Sequence, residues 1–275
     1  KFKFLSEMKL SGCKLLKQVP DLSGAPNLKK LHLDDCKNLV EVHDSIGFLH
    51  KLEVLNLDYC TSLRVLPHGI NLTSLETLSL RICTSLESFP EILGKMENIR
   101  YVYLSDSGIR ELPFSIGNLV GLTMLTLNGC NGLFELPNSI FMFPKLEILQ
   151  ANNCKGLAQI KEEKGQEQET ISSNVRDVSS FQCEKNVSFG HCCLTDEFLS
   201  TLLPCLDHVT RLYLIHNNIT ILPSGINACH SLTELYLDGC KELREIRGLP
   251  PNIMRLSAVN CTSLTSCSKE MLLTQ

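Results

Sequence analysis

Fourteen cysteines in 275 residues are the first candidates for chemistry. Thiols can pair as disulfides, hold a metal or act as nucleophiles, and spacing separates these uses. No C-x-x-C occurs. The stretch "GHCC" from Gly190 to Cys193 sets a histidine beside two cysteines, but zinc wants paired ligands at fixed spacing, and no second pair accompanies it. No nucleophile elbow or other catalytic arrangement of Ser, His, Asp or Cys is present. No metal site and no catalytic residue is therefore assigned. Nine of the cysteines instead recur at one place in a repeated phrase, as in "LEVLNLDYCTSLRVLP" (52–67) and "LETLSLRICTSLESFP" (75–90).

The elements that position them follow from that phrase. Its template is L-x-x-L-x-L-x-x-C, followed three places on by an apolar residue and often by Pro. The ninth slot is filled by Cys13, Cys36, Cys60, Cys83, Ser107, Cys130, Cys154, Cys192, Asn217, Cys240 and Cys261. Successive steps are 23, 24, 23, 24, 23, 24, 38, 25, 23 and 21 residues. A period near 23 residues means a solenoid. In L-x-L the two leucines point one way and their neighbours the other, and a lone strand cannot bury its leucine face. Stacked parallel strands make that face a continuous core. The expected fold is an α/β leucine-rich repeat horseshoe of about 11 repeats: a parallel concave sheet, with short helices and loops on the convex side. The slot lies where the chain bends inward and backbone groups lose strand partners. Asn217 can satisfy them with its amide, and cysteine, small and a weak S–H donor, fits the same niche. The column is expected to hold buried, reduced thiols.

The side chains flanking each L-x-L face outward. All five tyrosines lie on or beside that strip, whereas none of the eleven phenylalanines takes an outward L-x-L position. A phenol wants a wet or hydrogen-bonded end, and Tyr and Arg are favoured at interface centres. Arg81, Tyr101, Tyr103, Arg211, Tyr213 and Tyr236 are the candidate partner-binding residues. Asp34, Asp35, Asp58 and Asp106 give the N-terminal half an acidic cast that could steer a basic partner. The same residues would also serve simply as a solvated face.

The long step contains "IKEEKGQEQETISSNVRDVSS" (160–180), too polar to bury itself. Residues 161–180 read as an exposed, flexible insertion within a single repeat domain spanning 1–275. After it, Thr195 to Leu206 carries apolar residues at helical spacing with Thr195 near the N-cap. Segments such as "SIGNLVGL" (115–122) predict single helical turns or loops, and "GLPPN" (248–252) shortens the last repeat.

The formal net charge of −4 supplies no basic face for nucleic acid. No apolar run is long enough for a membrane span. A start without Met and an end without a polar cap read as a piece of a longer protein. Many unpaired thiols fit a reducing compartment, the cytoplasm with the nucleus also open to it.

"CTSLRVLPHGI", "CTSLESFPEIL" and "CNGLFELPNSI" resemble the repeats of plant intracellular immune receptors. Residues 242–266, "ELREIRGLPPNIMRLSAVNCTSLTS", are similar to the closing repeats of the subclass with an N-terminal TIR domain. The resemblance covers nearly the whole chain. It implies a region that senses pathogen effectors or modified host proteins and holds a nucleotide-binding switch off through intramolecular contact. No P-loop G-x-x-x-x-G-K-(S/T) occurs here, so no cofactor is assigned to this chain. ATP or ADP, and any TIR NADase activity, are expected elsewhere in the longer protein. The alternatives are the ectodomain of a cell-surface leucine-rich repeat receptor or a substrate-binding adaptor. Sequons at Asn71, Asn186, Asn218 and Asn260 would suit the ectodomain, but such receptors usually carry L-x-G-x-I-P with Asn in the slot, which this chain lacks.

Overall fold

The computed structural model describes residues 2–158 and 184–265. The insertion expected at 161–180 lies outside the described residues, as do Cys183 and Cys267. Eleven short strands form one sheet: β1 (Glu7–Lys9), β2 (Lys30–His32), β3 (Val54–Asn56), β4 (Thr77–Ser79), β5 (Tyr101–Tyr103), β6 (Met124–Thr126), β7 (Ile148–Gln150), β8 (Lys185–Ser188), β9 (Val209–Tyr213), β10 (Glu234–Tyr236) and β11 (Arg255–Ser257). They are hydrogen-bonded in chain order and every pair is parallel. Each repeat contributes one strand, as the period requires. Side-chain alternation sends Leu31, Leu55, Leu78, Val102, Leu125, Leu149, Leu212 and Leu235 into one continuous core, where each is at most 4% exposed. Burial of each such side chain contributes about 1.5–3 kcal/mol relative to leaving it in water.

The sheet irregularity falls after the long step. Between β8 and β9 the register shifts at Lys185 and Asn186, and Lys185 pairs with the buried Val209. A lysine thus occupies a core position, 8% exposed. Its ammonium donates to the carbonyls of Phe143 (2.8 Å) and Phe141 (3.2 Å), at the end of the helical turn Asn138–Met142. Those charge-assisted bonds make the burial tolerable.

The convex side holds five-residue 3-10 turns at Asp44–Phe48, Phe114–Asn118, Asn138–Met142 and Ser224–Ala228. It also holds two-residue strand pairs that the sequence reading did not anticipate: Gln18–Val19 with Glu41–Val42, Gly69–Ile70 with Glu91–Ile92, and Ile221–Leu222 with Glu245–Ile246. Two residues carry no readable alternation; the pairs exist because stacking sets extended segments side by side. The helix expected over 195–206 is α1 (Asp196–Leu202), followed by a 3-10 turn, Leu203–Cys205. Pro204, lacking an N–H, falls in that tightened turn. Thr195 holds the N-cap position, but its hydroxyl makes no capping bond. Asp196 turns instead to the next repeat, where Oδ1 accepts from the backbone of Thr220 (2.7 Å) and Ile221 (3.1 Å).

Candidate functional site: the concave strip

The slot column holds the strip's strands at fixed spacing. Each thiol after the first donates to a carbonyl of the preceding repeat: Cys36 to Leu10, Cys60 to Leu33, Cys83 to Leu57, Cys130 to Leu104, Cys154 to Leu127, Cys192 to Ala151, Cys240 to Leu214 and Cys261 to Leu237, all at 2.9–3.2 Å. Asn217 does more. Its Nδ2 donates to Phe189 and Leu214 carbonyls (2.8 and 2.9 Å), and its Oδ1 accepts from the backbone of Cys192 and Leu194. Ser107, in the fifth slot, lies 3.4 Å from the Cys130 thiol. The column departs from expectation at its first member: Cys13 is exposed, because no preceding turn covers it in the described structure, and Cys261 is partly buried. Burial pushes the Cys60 thiol up to about 12 and the Cys240 thiol up to about 11. These are poor nucleophiles. "GHCC" also disperses: Cys192 points inward, Cys193 is exposed, and the His191 ring stacks on His216 at 4.3 Å. Among the described residues no group of three or more His, Cys, Asp or Glu could hold a metal.

One backbone feature recurs beside the column. The residue just before every slot has a positive φ, from 54° to 75°: Gly12, Asp35, Tyr59, Ile82, Asp106, Gly129, Asn153, His191, His216, Gly239 and Asn260. Asn, Asp, His and Gly suit this left-handed conformation, whereas a β-branched Ile82 at 60° is strained. Gly239 is needed twice over, since an added Cβ would sit 2.3 Å from His216 Nδ1.

The outward side chains form three rows along the stack. The first runs Glu7, Lys30, Val54, Thr77, Tyr101, Met124, Ile148, Asn186, Arg211, Glu234, Arg255, each aligned with the next by strand register. The second runs Lys9, His32, Asn56, Ser79, Tyr103, Thr126, Gln150, Ser188, Tyr213, Tyr236, Ser257. The third lies two residues beyond the strands and includes Asp34, Asp58, Arg81, Asn128, Asn152 and Asp238. Its acceptors catch the backbone N–H of the next repeat where strand bonding stops: Asp58 holds Arg81 N (2.9 Å), Asn128 holds Asn152 N (2.9 Å), Asn152 holds Gly190 N (2.7 Å), and Asp238 holds Val259 N (2.7 Å). The sequence reading missed this job, although Asp, Asn or Ser two places before the slot was its trace.

The six candidates fall into two clusters. In the first, the Arg81 guanidinium clamps Asp58 through Nε (2.9 Å) and Nη2 (2.5 Å), which holds its pKa above the ordinary arginine value, and lies 5.6 Å from the Tyr103 ring centroid. Ser79 Oγ donates to the same carboxylate at 2.6 Å. Asp58 is only 3% exposed, so the acidic strip read from sequence loses this member as a steering charge. Tyr101 and Tyr103 stand parallel with centroids 6.2 Å apart. The hydroxyls of Tyr59, Tyr101 and Tyr103 make no hydrogen bond among the described residues.

In the second, Tyr213 and Tyr236 stack across strands at 4.5 Å. Arg211 bonds Glu184 (2.6 Å), Glu234 (3.2 Å) and Asn186 (3.2 Å). Tyr236 donates to Glu234 at 2.6 Å and accepts from Arg255 at 3.3 Å. The Tyr236 hydroxyl, then Arg211, hold the Glu234 carboxyl below the usual range, while burial and the neighbouring Tyr236 raise the Tyr213 phenol. The arrangement can bind through aromatic faces, phenols and guanidinium.

Comparisons with known proteins agree with this architecture. Residues 71–271 match the family model described as leucine-rich repeats of RPS4B-like disease resistance proteins. The chain is 36% identical over 252 residues to SUPPRESSOR OF npr1-1, CONSTITUTIVE 1 of Arabidopsis thaliana, covering 92% of this chain and 14% of that protein. It is 32% identical to TMV resistance protein N of Nicotiana glutinosa, covering 94% and 25%. The chain thus spans a quarter or less of the length of these relatives. Among solved structures, the leucine-rich repeat domain of the type III effector XopL superposes with a TM-score of 0.57 at 24% identity, over 92% of this chain and 76% of that one, a likeness of fold. With a stacked eleven-strand sheet, a thiol column and a family match over most of its length, the chain belongs to the leucine-rich repeat regions of plant TIR-type nucleotide-binding disease resistance proteins.

Proposed function

We propose that this chain is the protein-recognition and autoinhibitory region of an immune receptor and that its concave strip makes the contacts. The observation that carries this reading is the concentration of Tyr and Arg on one outward face, with the hydroxyls of Tyr59, Tyr101, Tyr103 and Tyr213 making no hydrogen bond among the described residues. Arg81, Tyr101, Tyr103, Arg211, Tyr213 and Tyr236 meet a pathogen effector or a modified host protein. The same repeats contact a nucleotide-binding domain outside this chain and restrain it. The nucleotide, ATP or ADP, is held there; this chain carries no P-loop and binds without catalysing. No helix among the described residues is long and apolar enough to cross a membrane. The receptor works in the cytoplasm, with the nucleus also open to it.

The test is a set of alanine and charge-reversal changes at the six positions in the complete receptor, scored for triggered cell death and for activity without a trigger. Loss of recognition, or gain of autoactivity, is expected at several sites. Survival of both recognition and restraint in every variant overturns the reading.

A further inference from the structure

The centre of the concave strip differs from its ends. Across β3 to β7 the first row reads Val54, Thr77, Tyr101, Met124 and Ile148, side by side in register. It carries no charge, and every member is at least partly exposed, with Tyr101 at 41%. The second row is uncharged over the same strands. The lane is bounded by Lys30 on one side and, beyond Asn186, by Arg211 on the other. In the third row Asp58 and Arg81 form an ion pair, and Glu53, Glu76, Arg100 and Glu147, one residue before the first row, make its other charged margin. An uncharged centre, with one row largely aliphatic and aromatic, between charged margins has the depletion of charge that marks the core of a binding interface.

We infer that this lane receives an amphipathic α-helix of a partner protein, lying along the solenoid axis, with an uncharged aliphatic stripe and acceptor groups on its flank. This inference rests on the reading that partners bind the concave face. Four strand intervals of roughly 4.8 Å give a lane of roughly 19 Å, the length of about 13 helical residues. Three rows span about 14 Å, enough for a helix about 10–12 Å wide. A helix satisfies its own backbone. An extended segment laid on the sheet's face would have to find side-chain partners for its N–H and C=O groups one by one, since the sheet's own backbone groups are spent between strands. The flank acceptors, carboxylate or carboxamide, meet the Tyr101 and Tyr103 hydroxyls and the Arg81 Nη1 not engaged by Asp58.

Two displayed peptide libraries test this, one on a helical scaffold with a randomised face and one linear, both selected on the 275-residue chain. The expected binders come from the helical library and carry uncharged apolar residues at i, i+3, i+4 and i+7. Their affinity should fall about tenfold or more with Met124→Glu or Ile148→Lys, and less than about threefold with Tyr236→Ala combined with Arg255→Ala. Met124→Gln and Ile148→Thr, with circular dichroism, guard against misfolding. Binders that are linear, have charged contact faces, or depend on the Tyr236 cluster overturn the helix-in-lane proposal and leave the concave reading standing. Binders indifferent to every concave change sink both, and failure of the helical library to yield any lane-dependent binder overturns the proposal.

Discussion

The Arg81 and Arg211 clusters place the same residue types on the same face, yet they are built differently. Around Arg81 the acid is buried: Asp58 spends its carboxylate on the next repeat's backbone, on Ser79 and on the guanidinium, and the phenols are left open. Around Arg211 the acids are more accessible: Glu184 and Glu234 engage Arg211, Glu234 also accepts from the Tyr236 phenol, and the Tyr213 hydroxyl makes no hydrogen bond among the described residues. A buried acid that joins two repeats is a structural part, whereas a mesh of solvent-accessible ion pairs is screened and weak. Similar residue types therefore leave unlike surfaces: an open aromatic centre, and an end where the arginine and one of the two phenols are already engaged.

The sharpest way to break that contrast is Asp58→Ala. It removes the acceptor of four donors at once, and with Arg81 half exposed the expected loss is about 2 kcal/mol in urea unfolding. Glu234→Ala should shift the midpoint far less; an equal shift would erase the distinction. Alkaline unfolding asks whether the column beneath both clusters behaves alike. The folded pKa values of Cys60 and Cys240 lie above the unfolded value, so their contribution is full below about pH 8.5 and is lost as pH rises through about 12 and about 11. Stability should fall by up to about 1.4 kcal/mol per pH unit per ionising thiol in that window, and Cys60→Ser should flatten the slope.

Backbone strain supplies a smaller test. Ile82→Gly at φ 60° should raise stability by about 1 kcal/mol, whereas His216→Gly, at 54°, gives up its stack on His191 and should gain less. A matching gain at both sites would show that the stack contributes nothing. The smallest effect should be that of ionic strength and acid. High salt should loosen the Arg211–Glu234 mesh, read by Arg Nε–H exchange, and leave Asp58–Arg81 protected. Because the folded Glu234 pKa is depressed, its contribution stands above the unfolded carboxyl value near 4.3 and disappears as pH falls below it.

Most of the fold was legible because a repeat states its own register. The period placed the strands, the column and the outward rows of the regular repeats, and the Thr195 segment announced its helix. Lys185 was not legible, because the register shift sets it in an apolar column after a break in the phrase. Nor were the left-handed residues, since Gly, Asp, Tyr, Ile, Asn and His share that position and no residue type marks it. Within the candidate site, all six residues could be named from the strand pattern, but nothing local told a free phenol from a bonded one. Tyr103 and Tyr236 occupy the same row and look alike in the chain.

By itself the sequence determined the solenoid and its direction of burial, because L-x-L alternation and a nearly constant step require one stacking and no other, and the resemblance of its repeat phrases pointed to the family. Only the tertiary structure decided which outward groups are spent and which are available. That depends on residues about 23 positions apart meeting across the stack: Asp58 with Arg81, Arg211 with Glu234, Tyr101 with Met124. Partner and competitor come from different repeats, so the balance between exposure and internal bonding exists only once the strands lie side by side.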